Sequence, residues 1–452
     1  MQPPPGPCGR ALGRCRRRQR RPFHRAGRRP ILPPMQHDVL TGEIEAWLIE
    51  RTLAVPDIVE LFGDLCVRLH GAGIPLDRAA LSWPTLHPLF QAEQIFWRRE
   101  QGAELHQHRE EMLRGEAYLR SPFHHAHKHN LERLRRRLTG PEALLDFPVL
   151  LELQQAGFTD YLLTATRMSI GRVDSYDGGE VGLMASWATR REGGFSPSDV
   201  VALSRIQKVF AVACHASIQM RVMEALADAY LGPTAARRVL AGDTRLGDGE
   251  RIRAVVWFSD LRGSTWLSGT MRPEDYLAYL SDYYACSAEP VIAEGGDIID
   301  FIGDAVLAIF PVRGDIGGPE AVRAATRAMN AALDRLDAYR AGGKGPEMQF
   351  SIALAMGEIM FGNIGVPSRL SFSAIGSVVN TVSRIDLMTK DLGRAVLVTE
   401  EIAGVDPQAW TPLGAWPLAD LDRPVRLFAP ASGRDRFDND ELRGRLKARL
   451  AG

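Results

Sequence analysis

The sequence lacks any uninterrupted run of about 18 apolar residues, the length at which a helix becomes a candidate to cross a bilayer. Its best stretch, residues 200–220, is broken by Arg205, Lys208 and His215, which predicts a soluble chain with no transmembrane segment. Cysteine is scarce: five residues, at 8, 15, 66, 214 and 286, odd in number and without Cys-x-x-Cys spacing. Such a set predicts reduced thiols and a cytoplasmic setting. Lysine is nearly absent beside abundant arginine, a bias that carries no mechanism. Net charge is absent too, since 55 basic residues balance 55 acidic ones. That zero hides an asymmetry: residues 1–34 hold ten arginines and no acid, so the remainder is net negative by ten. A net-negative body excludes a nucleic-acid binder that works by bulk charge.

The arginine-rich residues 1–34 read as a disordered, solvated tail, because clustered arginines beside prolines bury nothing. Two readings stand: a tether to an anionic surface, or a mis-assigned start ahead of Met35. Arg20 and Arg21 precede no apolar segment, so they are not an export signal. The rest, in a chain of 452 residues that is 45% hydrophobic, suffices for two or three domains with their own cores.

Residues 40–220 read as a separate α+β domain. Residues 43–69 have helical periodicity and end at the Gly-Ala-Gly-Ile-Pro of 71–75. Short strand-like runs follow at 78–83, 94–99, 161–168 and 181–187, and a long amphipathic helix starts at Pro197. Six histidines (106, 108, 124, 125, 127 and 129) precede a basic run, 133–137, that reads as a solvated helix; imidazoles at this density are the alternative metal site. Residues 221–250 form a connector of helix, Gly-Pro break, short helix and glycine turn.

The most informative stretch is 252–311. An apolar run, 254–258, reads as a buried strand that ends in Ser259 and Asp260, putting Asp260 at a strand exit. Two further apolar runs, 298–302 and 305–310, flank Gly303-Asp304 as a two-residue hairpin turn would. Two carboxylates at strand ends, beside small residues that let phosphates approach, suit a pair of Mg²⁺ ions holding a triphosphate. Asn380 and Arg384 lie four apart, on one face of a helix.

Four blocks in order, FSDLRGST (258–265), GGDIIDFIGDAVLAIFP (295–311), ALAMGEIMFGNIG (353–365) and SAIGSVVNTVSRID (373–386), resemble the catalytic domain of the class III nucleotide cyclases, the adenylate and guanylate cyclase family. The resemblance covers roughly residues 248–430. It implies an α+β fold with a ferredoxin-like βαββαβ core over 251–430, a C-terminal tail at 431–452, and a homodimer whose sites lie at the interface. Residues 40–220 resemble the GAF-type sensory domains often placed upstream, receiving an unknown small-molecule or protein signal. By the same resemblance, Asp260, Leu261 and Asp304 hold two Mg²⁺ or Mn²⁺ ions per site. The turn Arg262, Gly263, Ser264 and Thr265 cradles the phosphates of a nucleoside triphosphate, and the partner chain's Asn380 and Arg384 orient the ribose and stabilise the α-phosphate. The resemblance implies ATP as the substrate and 3′,5′-cyclic AMP as the product, with pyrophosphate leaving.

Three departures bear on this. Adenylate enzymes of the family usually carry a lysine where this chain has Asp300, and its partner in base reading is Ser373. A carboxylate accepts hydrogen bonds and so suits the N1–H and N2–H₂ donors of guanine, which keeps cyclic GMP open as the product. The basic residue expected in the last hairpin is replaced by Ala419, with Arg423 and Arg426 a few residues on, and Ser264 replaces a phenylalanine. A non-catalytic module that keeps the fold to bind nucleotide or to dimerise is the second hypothesis. Retention of Asp260, Asp304, Asn380 and Arg384 together favours the enzyme.

Overall fold

The computed structural model describes residues 34–168, 182–312, 314, 317–343, 347–419 and 421–437. The arginine-rich segment 1–33, with Cys8 and Cys15, and the tail 438–452 lie outside the described residues, as does Asp420.

Two helices, α1 (Pro34–Thr52) and α2 (Ile58–Gly71), occupy the stretch expected as one. Val55 with φ of 45° and Pro56 break the helical path, and Asp57 restarts it by accepting from the N–H groups of Val59 and Glu60. Strands β1 (Arg78–Pro84), β2 (Ala92–Arg98) and β3 (Gly102–His108) follow, then short helices α3 (Glu110–Leu113), α4 (Glu116–Leu119) and α5 (Pro122–Lys128). The basic run expected as a helix is instead strand β4 (Arg133–Arg137). Tertiary pairing overrides its propensity: Arg135 and Arg137 both reach the fully buried carboxylate of Asp160, at 2.6 and 3.0 Å. Helix α6 (Pro148–Gln155), strands β5 (Asp160–Arg167) and β6 (Gly182–Thr189) and helix α7 (Pro197–Leu231) complete this part. The strands form one antiparallel sheet in the order β3-β2-β1-β6-β5-β4.

Helix α7 starts at a capping box, Ser196 with Asp199. By length and composition it is the one helix among the described residues that would suffice to span a membrane, and it contains residues 200–220, the most apolar stretch read from the sequence. Its Leu203, Ile206, Phe210, Cys214 and Ile218 are fully buried against α1, α2 and the sheet, and Arg205 pairs with Glu45 of α1. The first part of the expected connector only prolongs α7; the break comes at Gly232, with φ of 79°, before α8 (Pro233–Leu240).

The C-terminal part opens on β7 (Gly249–Leu261), followed by α9 (Ser264–Thr270), α10 (Pro273–Ser287), α11 (Glu289–Ala293), the hairpin β8 (Asp297–Ile302) and β9 (Ala305–Pro311), and α12 (Gly317–Gly342). Then come the long strand β10 (Phe350–Val366), β11 (Arg369–Ile375), α13 (Ser377–Asp391), β12 (Val396–Thr399), α14 (Glu400–Ala403), β13 (Trp410–Trp416) and β14 (Val425–Pro430). The sheet order is β13-β14-β12-β10-β7-β9-β8, with β11 beside β10. Its centre, β10-β7-β9-β8, is antiparallel throughout and traces the βαββαβ path of a ferredoxin-like core. Residues Ala254, Val255, Val256 and Trp257 of β7 are all fully buried because helices cover both faces of this strand. On one face α10–α12 pack on Val255, Trp257 and Phe310; on the other α13 and α8 pack on Ala254 and Val256.

Candidate active site

Strand alternation places the site. Val255, Trp257 and Leu261 of β7 point to the α10–α12 face, so Asp260 points to the face that α13 covers. Asp260 stands opposite Ala305 of β9 and Ser351 of β10. Asp304 occupies the expected two-residue turn beside Gly303, whose φ of 65° suits glycine. The turn is pinned twice: Leu261 donates its N–H to the Asp304 carbonyl at 3.2 Å, and the Tyr284 hydroxyl donates to the Gly303 carbonyl at 2.5 Å. Ser259 and Tyr283 share a buried hydrogen bond of 2.9 Å that ties the end of β7 to α10. The two predicted carboxylates therefore meet at one end of the two central strands.

A third carboxylate lies behind them. Asp386, on the buried face of α13, is bonded by the Ser351 hydroxyl and faces Arg262, 3.6 Å away. Burial holds Asp386 above its ordinary pKa, against the pull of Arg262. Burial, then Asp386, then Asp304 push Asp260 up to about 7. Asp260 and Asp386 share the Arg262 guanidinium, with Lys390 and Asp304 also acting on them, so three acids outnumber two cations; a divalent cation at Asp260 and Asp304 would relieve this, and the donor set fits a hard cation. Asp386 is engaged by Arg262 and Ser351, and among the described residues no group of three or more His, Cys, Asp or Glu side chains is arranged as a metal cage. The histidines at 106–129 form none: His106 and His108 sit on β3, the others on or beside α5. Leu261 has a buried apolar side chain, so only its carbonyl oxygen could serve a cation.

The predicted phosphate turn is reduced. Arg262 is buried, its side chain turned inward to Asp260, Asp386 and Thr389, and its N–H donates to the Gln349 carbonyl at 2.8 Å. With Leu261 likewise committed, the N–H groups of Gly263, Ser264 and Thr265 at the start of α9 remain for an anion. The departure at Ser264 leaves that residue half-buried.

Asn380 and Arg384 stand one turn apart on α13. Val378, Val382, Ile385 and Asp386 take the buried side of that helix, while Asn380 is exposed and Arg384 half-buried. Asp300 is exposed on edge strand β8, opposite Leu307, and a bulge at Ile299 sets it on the α13 face of the sheet. Ser373 lies on β11 opposite Gly362. Ala419 is exposed in the loop after β13, and Arg426 is paired with Glu400 at 2.9 Å. Sequence reading missed Asp386, Ser351 and Tyr284. Asp386 lies two residues past Arg384 on the apolar side of the helix, and an acid there was the available signal.

The C-terminal part thus presents a βαββαβ sheet with paired acidic residues at a strand end and hairpin tip, backed by a helix carrying Asn380 and Arg384. Residues 250–406 match the family model described as the adenylate and guanylate cyclase catalytic domain. This C-terminal part is 33% identical over 161 residues to an adenylate cyclase of Anabaena cylindrica, covering 35% of this chain and 31% of that protein. It is 32% identical over 170 residues to adenylate cyclase 1 of Rhizobium meliloti, covering 36% of this chain and 25% of that protein. The chain thus spans about a quarter to a third of the length of these relatives. Among solved structures, the adenylyl cyclase CyaB from P. aeruginosa is 24% identical with a TM-score of 0.36, over 40% of this chain and 95% of that one.

Proposed function

We propose that the protein is a homodimeric, divalent-cation-dependent cyclase that converts ATP to 3′,5′-cyclic AMP and pyrophosphate, with two sites at the dimer interface. The carrying observation is the meeting of Asp260 and Asp304 at the end of β7 and the β8–β9 turn, backed by Asp386 and Arg262. Asp260, Asp304 and the Leu261 carbonyl are the residues that would hold Mg²⁺ or Mn²⁺, two per site. When bound, such cations lower the pKa of the ribose 3′-hydroxyl and neutralise the departing phosphates. The N–H groups of Gly263–Thr265 would orient the β- and γ-phosphates. Asn380 and Arg384 of the partner subunit would fix the ribose and stabilise charge on the α-phosphate, the latter worth roughly 3 kcal/mol.

A second reading, GTP to cyclic GMP, is favoured by Asp300 and Ser373, whose acceptor oxygens match guanine's donors. A non-catalytic nucleotide-binding module is favoured by the exposed Ala419, where a phosphate cation was expected. Residues 40–220, with flanking helices around a six-stranded sheet, are read as a GAF-like sensory domain, joined by 221–250 to the catalytic unit at 251–430. Buried free thiols at Cys66, Cys214 and Cys286 support a cytoplasmic setting.

The test is product formation by the purified protein with Mg²⁺ or Mn²⁺, offering ATP and GTP separately, beside Asp304→Ala. Cyclic AMP supports the first reading and cyclic GMP the second. No product above the Asp304→Ala control leaves the binding module.

A further inference from the structure

The two faces of the six-stranded sheet are filled unequally. One is packed over β1–β3, β5 and β6 by α1, α2 and α7. The other is packed only at the β4–β6 end, where Phe147, Leu150 and Leu153 meet Tyr161 and Leu163. Over β1–β3, helices α3–α5 stand away from the sheet and enclose a cavity of about 720 Å³. Close packing is the rule in protein interiors, and this volume lies in the range of small-molecule sites, roughly 300–1,000 Å³.

The walls are apolar: Met112, Leu113, Leu119, Phe123, Leu131 and Met184. The floor carries one polar row, made by strand register. Ser82 of β1 faces Gln94 of β2, and the Gln94 Oε1 accepts from His108 Nε2 of β3 at 3.1 Å. Burial, with His106 nearby, holds the His108 imidazole below its ordinary pKa, which favours the neutral ring. With Nε2 donating, Nδ1 is left as an acceptor, while the Gln94 amide donates and the Ser82 hydroxyl does either. Among the described lining residues, Glu110 and Glu132 stand against Arg114 and Arg167, with Glu110 and Arg114 paired at 2.6 Å. Among these residues an ionic ligand would meet no surplus counter-charge.

We propose that this cavity binds an uncharged, mainly apolar small molecule through one hydrogen-bonding edge held against Ser82, Gln94 and His108. The strand that bears Gln94 is fastened to α7, since Glu93 on its other face pairs with Arg221 at 2.8 Å, and α7 runs on to the catalytic unit. The site does not depend on the cyclase reading.

The experiment is fluorescence titration of the full chain with Nile red, an uncharged probe, and with 1-anilinonaphthalene-8-sulfonate, an anionic one. Saturable binding of one Nile red per chain is expected, abolished by Met184→Trp, which fills the cavity. Gln94→Leu should weaken it about tenfold, the effect of one hydrogen bond, and the anionic probe should bind at least about tenfold more weakly than the neutral one, for want of a counter-charge. Absent saturation, Nile red affinity unchanged in Gln94→Leu, or tighter binding of the anionic probe would overturn the assignment. Thermal unfolding checks Met184→Trp; if it does not fold, Gln94→Leu and the probe comparison decide. The readout needs no turnover, so its failure is distinct from failure of the catalytic reading.

Discussion

The guanidinium of Arg262 lies 3.6 Å from the carboxylate of Asp386, and both side chains are buried. Arg262 also reaches Asp260, two residues before it, at 3.5 Å. One cation thus joins the end of β7 to the inner face of α13, the helix whose outer face carries Asn380 and Arg384. The acidic end of one chain is held in register with residues read as serving the partner's site.

Removing one partner from this buried pair should be costly. Asp386→Ala leaves Arg262 without the more buried of its two counter-ions and is expected to lower the stability of the C-terminal unit by about 3 kcal/mol. The midpoint of urea unfolding measures this. The double variant Arg262→Leu with Asp386→Leu should recover part of the loss, because no uncompensated charge remains. An additive loss would contradict the pairing.

The raised pKa of Asp260 makes stability depend on pH. In the folded chain this carboxyl keeps its proton up to about 7, against an ordinary 3.8, so between these values the folded state binds more protons than the unfolded one. Stability is therefore lost as pH rises through that window. The melting temperature of the cation-free protein should fall between about pH 5 and 7.5 more steeply than that of Asp260→Asn. Mn²⁺ affinity should rise over the same interval, as the competing proton leaves. Parallel pH profiles for the two proteins would contradict this account.

Base preference should turn on Asp300. Replacing an acceptor by a donor in Asp300→Lys favours adenine N1 and opposes guanine N1–H. The ratio of kcat/KM for ATP over GTP is expected to rise by roughly tenfold or more. An unchanged ratio would remove Asp300 from base reading.

Much of the catalytic fold was legible because its local signals agree. The apolar run ending at Asp260, the Gly303-Asp304 turn and the i, i+4 spacing of Asn380 and Arg384 each depend on near neighbours in sequence, and each stands where expected. What was missed depends on tertiary contact. Arg262 looked like a phosphate ligand because it follows Asp260 in a turn, but Asp386, more than a hundred residues away, draws it inward. Residues 133–137 looked like a solvated basic helix, but Asp160 and β5 draw them into a strand. The cavity beneath α3–α5 has no sequence signal, since it is formed where two layers fail to touch.

The most direct test of a site shared between two chains is to co-express Asp304→Ala and Arg384→Ala proteins at equal levels, under separate tags. Each variant alone is expected to be inactive. Random pairing makes half the dimers mixed, and each mixed dimer regains one intact site, so cyclic-nucleotide formation should return to about a quarter of wild type. A co-expressed pair as inactive as its parents would contradict a site built from Asp304 of one chain and Arg384 of the other.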